Sequence, residues 1–179
     1  PGDRSLVCFY NTRSYWPTAY HPGINAWYIP FHDYCLEMTA AGAGGSAENQ
    51  RNGIIRPGVP LQKAHGLAKV DVATGTVTRI HESGVPSNGA VLATAGDLVF
   101  WGDMDRRFRA LDAHSGKVLW TTILGGMVQT STITYAVNGR QYVAVMTGDG
   151  NSATRNPLDL TGTARPPEGH NEIYVFALP

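Results

Sequence analysis

The chain has 179 residues, 42% hydrophobic and 16% charged, and its 14 basic and 14 acidic residues leave a formal net charge of zero at pH 7. That balance gives no electrostatic reason to expect nucleic acid or an anionic membrane as a partner. No apolar run approaches the roughly 20 residues that a bilayer-spanning helix needs.

In chain order, the predicted elements are nearly all strands: 26–29, 66–70, 77–80, 91–93, 98–101, 108–111, 118–121, 132–135, 141–146 and 172–177. Most are short, rich in Val, Ile, Tyr and Thr, and bounded by Gly, Asp, Asn or Pro. Asn138-Gly139 between two such runs is a strong two-residue hairpin signal. No segment keeps a helical period over three turns. Stretches of about 40–61 and 148–171 read as long loops, and loops of that length are usually functional.

Two strand–turn–strand units share one plan. In Ala110-Leu-Asp112-Ala-His-Ser-Gly116-Lys117-Val-Leu-Trp120, the Asp side chain can bond backbone amides across the turn and the Gly can take a positive φ. The Trp then arrives at a fixed offset, where its ring is expected to pack flat between neighbouring sheets. Lys69-Val-Asp71-Val-Ala-Thr-Gly75-Thr-Val-Thr-Arg79 keeps the Asp and the Gly but has Arg in place of the Trp. Both units read as blade architecture. At four strands per blade, the strands make about two and a half blades, too few to close a ring and protect its edges. The chain is therefore expected to be part of a larger propeller, with another chain or segment covering its open faces.

Ordered motifs along most of the chain resemble the quinoprotein alcohol dehydrogenases, β-propellers that carry pyrroloquinoline quinone (PQQ). They are Cys8, Tyr15-Trp16-Pro17-Thr-Ala-Tyr20-His-Pro22, Trp27-Tyr28-Ile-Pro30 and Cys35; then Asn88-Gly89 leading into Leu92-Ala-Thr94-Ala-Gly96-Asp-Leu-Val-Phe100; then the Asp112–Trp120 unit. Ile133-Thr-Tyr135, Gln141-Tyr142-Val-Ala-Val145, Gly148-Asp-Gly150 and the closing Ile173-Tyr-Val-Phe176 complete the set. The resemblance is to roughly the C-terminal third of such an enzyme. It implies an all-β fold, the C-terminal blades of an eight-bladed propeller that is incomplete on its own.

The resemblance further implies oxidation of an alcohol, polyol or aldehyde by hydride transfer to PQQ, beside a calcium or lanthanide ion. The metal ligands and the catalytic base are expected outside this chain, since no adjacent cysteine pair and no catalytic Asp segment occurs here. Five residues match cofactor-facing positions: Tyr15, Trp16, Asn88, Gly89 and Ser152. Trp16 has an architectural alternative, an inter-blade core position, and Asn88-Gly89 another, a simple turn. Tyr15 departs from the family's Asn or Asp, and the loop around Ser152 departs widely. Cys8 and Cys35 match a structural disulfide of the family, the alternative being two buried thiols; a bond would contribute roughly 3 kcal/mol in the chain-entropy model. The implied location is the periplasm, and the implied electron acceptor a periplasmic one such as a cytochrome c. A non-catalytic propeller that serves as a protein-binding scaffold is the rival reading.

Other candidates are weaker. Six His are scattered without a metal-binding spacing, and His32-Asp33 falls near a channel-side loop, where a role in substrate access is one reading. Asp103 and Asp105 read as turn caps. Gly148-Asp149-Gly150-Asn151 has a trace of a calcium loop but lacks the distal Glu.

Overall fold

The computed structural model describes residues 4–8, 16–39, 51–150 and 152–177. Their strands are β1 (Arg4–Val7), β2 (Ala19–His21), β3 (Ala26–His32), β4 (Tyr34–Thr39), β5 (Arg51–Ile55), β6 (His65–Asp71), β7 (Val77–Ser83), β8 (Leu92–Ala93), β9 (Leu98–Gly102), β10 (Arg107–Asp112), β11 (Val118–Ile123), β12 (Met127–Val137), β13 (Arg140–Gly148) and β14 (Ile173–Ala177). One 3-10 turn, Leu61–Lys63, and one helix, α1 (Ser152–Thr161), complete the set.

The strands form two four-stranded antiparallel blades, β2-β3-β6-β7 and β8-β9-β10-β11, a three-stranded sheet β12-β13-β14, and a small separate sheet β1-β4-β5. All ten expected strands are present. Side chains alternate across each blade, as a pleated strand requires. In β3, Ala26, Tyr28, Pro30 and His32 are buried while Trp27 is exposed. Asn138 and Gly139 both take positive φ, 51° and 76°, and close the β12–β13 hairpin as expected.

The small sheet is an excursion from the first blade. β3 ends at His32, the chain passes through Asp33, and β4 begins at Tyr34 in the other sheet. Asp33 holds both sides of the crossing: its N–H donates to Ala64 O at 2.7 Å and its carbonyl accepts from Arg56 N at 2.9 Å. The chain returns through β5 and the 3-10 turn, and β6 pairs with β3 so that His65 lies opposite His32. Cys8 and Cys35 form a disulfide across 27 residues, joining the end of β1 to β4. Cys35→Ala is expected to destabilise the protein by roughly 3 kcal/mol under oxidising conditions. Equal unfolding midpoints of wild type and variant would remove that role.

The Asp–Gly turns share one hydrogen-bond pattern. Asp71 accepts Thr74 N–H at 2.8 Å, and Asp112 accepts Ser115 N–H at 2.7 Å. Gly75 and Gly116 donate to the Asp71 and Asp112 carbonyls, each at 2.8 Å, with φ of 71° and 73°. Both carboxyls are held below the usual range, Asp71 first by the Thr74 amide and Asp112 first by the Ser115 hydroxyl. Their surroundings differ. The second turn rests on the first blade: Tyr28 Oη donates to Ala113 O at 2.6 Å and Lys69 Nζ to His114 O at 2.9 Å. A Cβ on Gly116 would lie 2.1 Å from Ile80 O, whereas one on Gly75 would meet nothing within 4 Å. The core between the blades is Tyr28, Leu67, Val99, Trp101 and Leu111 with three small neighbours.

Several expectations need correction. The 148–171 stretch contains α1, whose Leu158 packs with Met104 and Met127. The 40–61 stretch contains β5, and its residues 40–50 lie outside those described. Trp120 does not stack face to face on its ring neighbours. It meets Phe108 of the paired strand β10 and Phe176 of β14 edge-on, at 90° and 73°. At the matching position of the first blade, Arg79 stacks over Phe31 at 4.5 Å and pairs with Asp33 at 2.5 Å. An apolar cleft of about 460 Å³ opens beside β14, lined by Leu98, Phe100, Trp120, Val143 and Phe176. It lies where the other two blades carry a fourth strand and this sheet, among the described residues, has none.

Candidate functional site

The pairing registers fix which loops share an end. β2 starts just after Trp16–Thr18, β8 just after 87–91, and β12 just after Gly125-Gly126. Each partner strand runs back to that same end: β3 finishes at His32, β9 at Gly102 and β13 at Gly148, opposite Met127. β6 starts there at His65, opposite His32. The two Asp–Gly turns lie at the opposite end, since β6 and β10 run away from the first. One end of the blades therefore gathers Trp16, His32, His65, Ser87–Gly89 and the 148–150 loop.

The sequence candidates divide as follows. Trp16 is buried, with its ring centroid 5.7 Å from that of His32. Asn88 is buried, and its Oδ1 has no hydrogen-bond partner among the described residues. An orphaned buried acceptor of this kind costs about 1–3 kcal/mol, so it marks a place where a donor from water or a ligand fits. Gly89 donates its N–H to Ser87 Oγ at 3.3 Å, and a Cβ there would lie 2.9 Å from Gly102 O, so only glycine fits. Ser152 begins α1 rather than standing in a loop. Tyr15 lies outside the described residues. Thus Trp16 and Asn88-Gly89 come to one end of the blades, with His32 between Trp16 and Ser87.

A polar cluster links these parts. His32 Nε2 lies 2.8 Å from Ser87 O and 3.3 Å from Ser87 N. His65 Nδ1 lies 3.2 Å from Ser83 O, and its Nε2 lies 2.7 Å from Tyr34 Oη. The partners assign the tautomers. Of its two Ser87 contacts the carbonyl is the closer, which places the His32 proton on Nε2, donating to Ser87 O; His65 carries its proton on Nδ1 and accepts Tyr34 O–H on Nε2. The rings of His32, Tyr34 and His65 lie 5.0–5.3 Å apart. Burial pushes His32 down to about 4, against the Ser87 hydrogen bond, and pushes His65 down to about 3, helped by the nearby His32. Both rings are neutral at pH 7. Sequence reading missed His65 and Tyr34 here; the readable signal was a His at each of two strand ends that turn out to be paired.

Other polar groups have structural partners. Asp33 is buried between Arg79 and Arg56, and so anchors the crossing. Asp103 caps its turn by accepting Arg107 N–H at 3.0 Å, as expected, and also pairs with Arg109 at 2.8 Å. Burial raises the Asp103 carboxyl, with Arg109 opposing. Asp149 accepts from Gly169 N at 2.8 Å, His170 N at 3.2 Å and Asn171 Nδ2 at 3.3 Å. Those donors, led by the Gly169 amide, hold its carboxyl low and tie the loop after β13 to the entry of β14.

Comparison with known proteins gives a consistent picture. The profile of the PQQ family described as glucose/ethanol/alcohol dehydrogenase, β-propeller domain, matches residues 49–143. A quinoprotein ethanol dehydrogenase of Pseudomonas aeruginosa is 31% identical over 177 residues, covering 96% of this chain and 28% of that protein. A 1-butanol dehydrogenase (cytochrome c) of Thauera butanivorans is 46% identical over 97 residues, covering 52% of this chain and 13% of that protein. A europium-containing methanol dehydrogenase of known structure superposes with a TM-score of 0.76 at 26% identity, covering 93% of this chain and 33% of that one. The chain spans well under half the length of each of these relatives.

Proposed function

The chain belongs to the PQQ glucose/ethanol/alcohol dehydrogenase propeller family, and from that premise we propose that it supplies one wall of the quinone pocket of a complete alcohol-oxidising enzyme. The observation that carries the reading is the family match together with a buried, unpartnered acceptor, Asn88 Oδ1, at the end of the blades where Trp16 also lies. The residues fit a planar polar cofactor. Trp16 offers an aromatic face, Asn88 an amide with both donor and acceptor, and Gly89 a backbone free of a side chain. Tyr15 and Ser152 are proposed on resemblance alone. When bound, PQQ accepts the electrons of the alcohol, beside a calcium or lanthanide ion held by residues outside this chain. Here, the neutral His32 and the Ser87 hydroxyl keep the 87–89 wall in place and exclude bulk water from it.

The remaining blades of the ring are the partner of the apolar cleft beside β14 and of the open side of the Gly75 turn. The acceptor named for the butanol relative supports a cytochrome c as the electron sink, in the periplasm. The substrate is an alcohol, polyol or aldehyde. A scaffold role finds no support among these relatives, which are named as dehydrogenases.

Full-length protein reconstituted with PQQ and Ca²⁺ or a lanthanide is expected to oxidise alcohols in a dye-linked assay. No bound quinone and no turnover across alcohols, sugars and aldehydes with either metal would overturn the reading. Asn88→Ala is expected to weaken PQQ binding by about tenfold, the effect of one lost hydrogen bond of about 1.4 kcal/mol. Titration of the apoprotein by tryptophan quenching measures it, and unchanged affinity would remove Asn88 from the pocket.

A further inference from the structure

We propose that His32 is the positioning residue that locks the two cofactor-facing segments, Trp16 and Ser87–Gly89, to each other. This rests on the reading of Trp16 and Asn88 as pocket residues. His32 is 3% exposed and touches both segments: its ring lies 5.7 Å from that of Trp16, and its Nε2–H donates to Ser87 O at 2.8 Å. Ser87 relays the hold, since its hydroxyl donates to Gly102 O at 2.5 Å and accepts Gly89 N–H at 3.3 Å. Behind His32, the Tyr34–His65–Ser83 chain fixes the ring from its other side.

Two features separate this from ordinary core packing. A packing ring needs no polar atoms, yet His32 spends one nitrogen on the residue next to Asn88. Its other nitrogen, Nδ1, is buried with no partner among the described residues. An unpaired buried nitrogen is destabilising, and this one lies beside the segment that carries the unpaired Asn88 Oδ1. That arrangement fits a residue held for geometry at a ligand wall. The segments come from different blades, β2 and β8, and share one backbone hydrogen bond, Val91 N–H to Pro17 O at 3.0 Å; His32 adds a second tie, nearer Asn88.

The test compares full-length wild type with His32→Phe and His32→Gln. Phe keeps a flat ring but cannot donate to Ser87; Gln keeps an N–H donor. In the apoprotein, amide exchange at Ser87 and Gly89 is expected to speed up at least tenfold in His32→Phe, with amides of β9, β10 and β13 unchanged. PQQ affinity, read by tryptophan quenching, is expected to fall about tenfold in His32→Phe and to recover mostly in His32→Gln. His32→Leu makes the same loss of the donor and decides the question if the Phe variant does not fold. Wild-type exchange at 87–89 in the donor-less variants would overturn the proposal, as would acceleration spread evenly over all blades. If wild type binds no PQQ, the functional reading fails, while the exchange measurements still decide whether His32 holds the two segments.

Discussion

Acidification from about pH 7.5 to about pH 4 is expected to remove about 3 kcal/mol of stability for each of His32 and His65. Burial lowers both groups from 6.5, to about 4 and about 3, so the unfolded chain binds protons more readily than the folded one. A depressed folded value gives stability that is fully present above the unfolded value, near 6.5. It is lost as the pH falls toward and through the folded values. The rings sit 5.2 Å apart, so charging one makes charging the other harder and steepens the loss. The exposed carboxylates Asp71, Asp112 and Asp149 act in a separate, lower window, because their folded values lie below 3.8. Denaturant midpoints measured across this range, in wild type and His65→Gln, check the result. The variant is expected to start less stable, having lost the Tyr34 and Ser83 bonds, and to decline more shallowly. Parallel acid limbs in the two proteins would sink this account.

Gly116→Ala is expected to destabilise the protein by about 4 kcal/mol, the sum of two physical effects. A residue with a Cβ at φ 73° is disfavoured by about 1–2 kcal/mol. The new methyl would also lie 2.1 Å from the Ile80 carbonyl oxygen and 2.6 Å from its carbon, an overlap with backbone costing a further 1–3 kcal/mol or so. The turn cannot back away freely, since Tyr28 and Lys69 hold its carbonyls from the neighbouring blade. Gly139→Ala is the internal control: φ is 76°, but nothing lies within 4 Å of its Cβ position. That variant should lose only the conformational part, about 1 kcal/mol. Similar losses for the two variants, compared by chemical unfolding, would show that the turn does not bear on the neighbouring blade.

The blade strands were legible because short β-branched runs bounded by turn residues need little tertiary help to be recognised. What escaped was whatever depended on context. β5 begins Arg51-Asn52-Gly53, a weak strand sequence stabilised by pairing with β4. The helix α1 contains Pro157 and mostly polar residues, so no apolar period announced it; Leu158 secures it against Met104 and Met127. In the candidate site, Trp16 and Asn88 were reachable through resemblance. The His32–His65 link was not, because it exists only once the small sheet has been set aside and β3 pairs with β6. The position of Trp120 was legible but its edge-on packing was not, since that depends on Phe108 and Phe176.

The two Asp–Gly turns have the same backbone but different neighbourhoods, one wedged under Ile80 and one facing open space at Gly75. Mutational tolerance at such a turn is therefore a property of its neighbours rather than of its own sequence. A scan of this segment taken alone would score Gly75 as mildly sensitive, through its φ of 71° alone, and Gly116 as forbidden. Were a further blade to present a carbonyl to Gly75 as Ile80 does to Gly116, the two positions would converge on the same intolerance. The gap between the two scores then measures how completely the blades have come together.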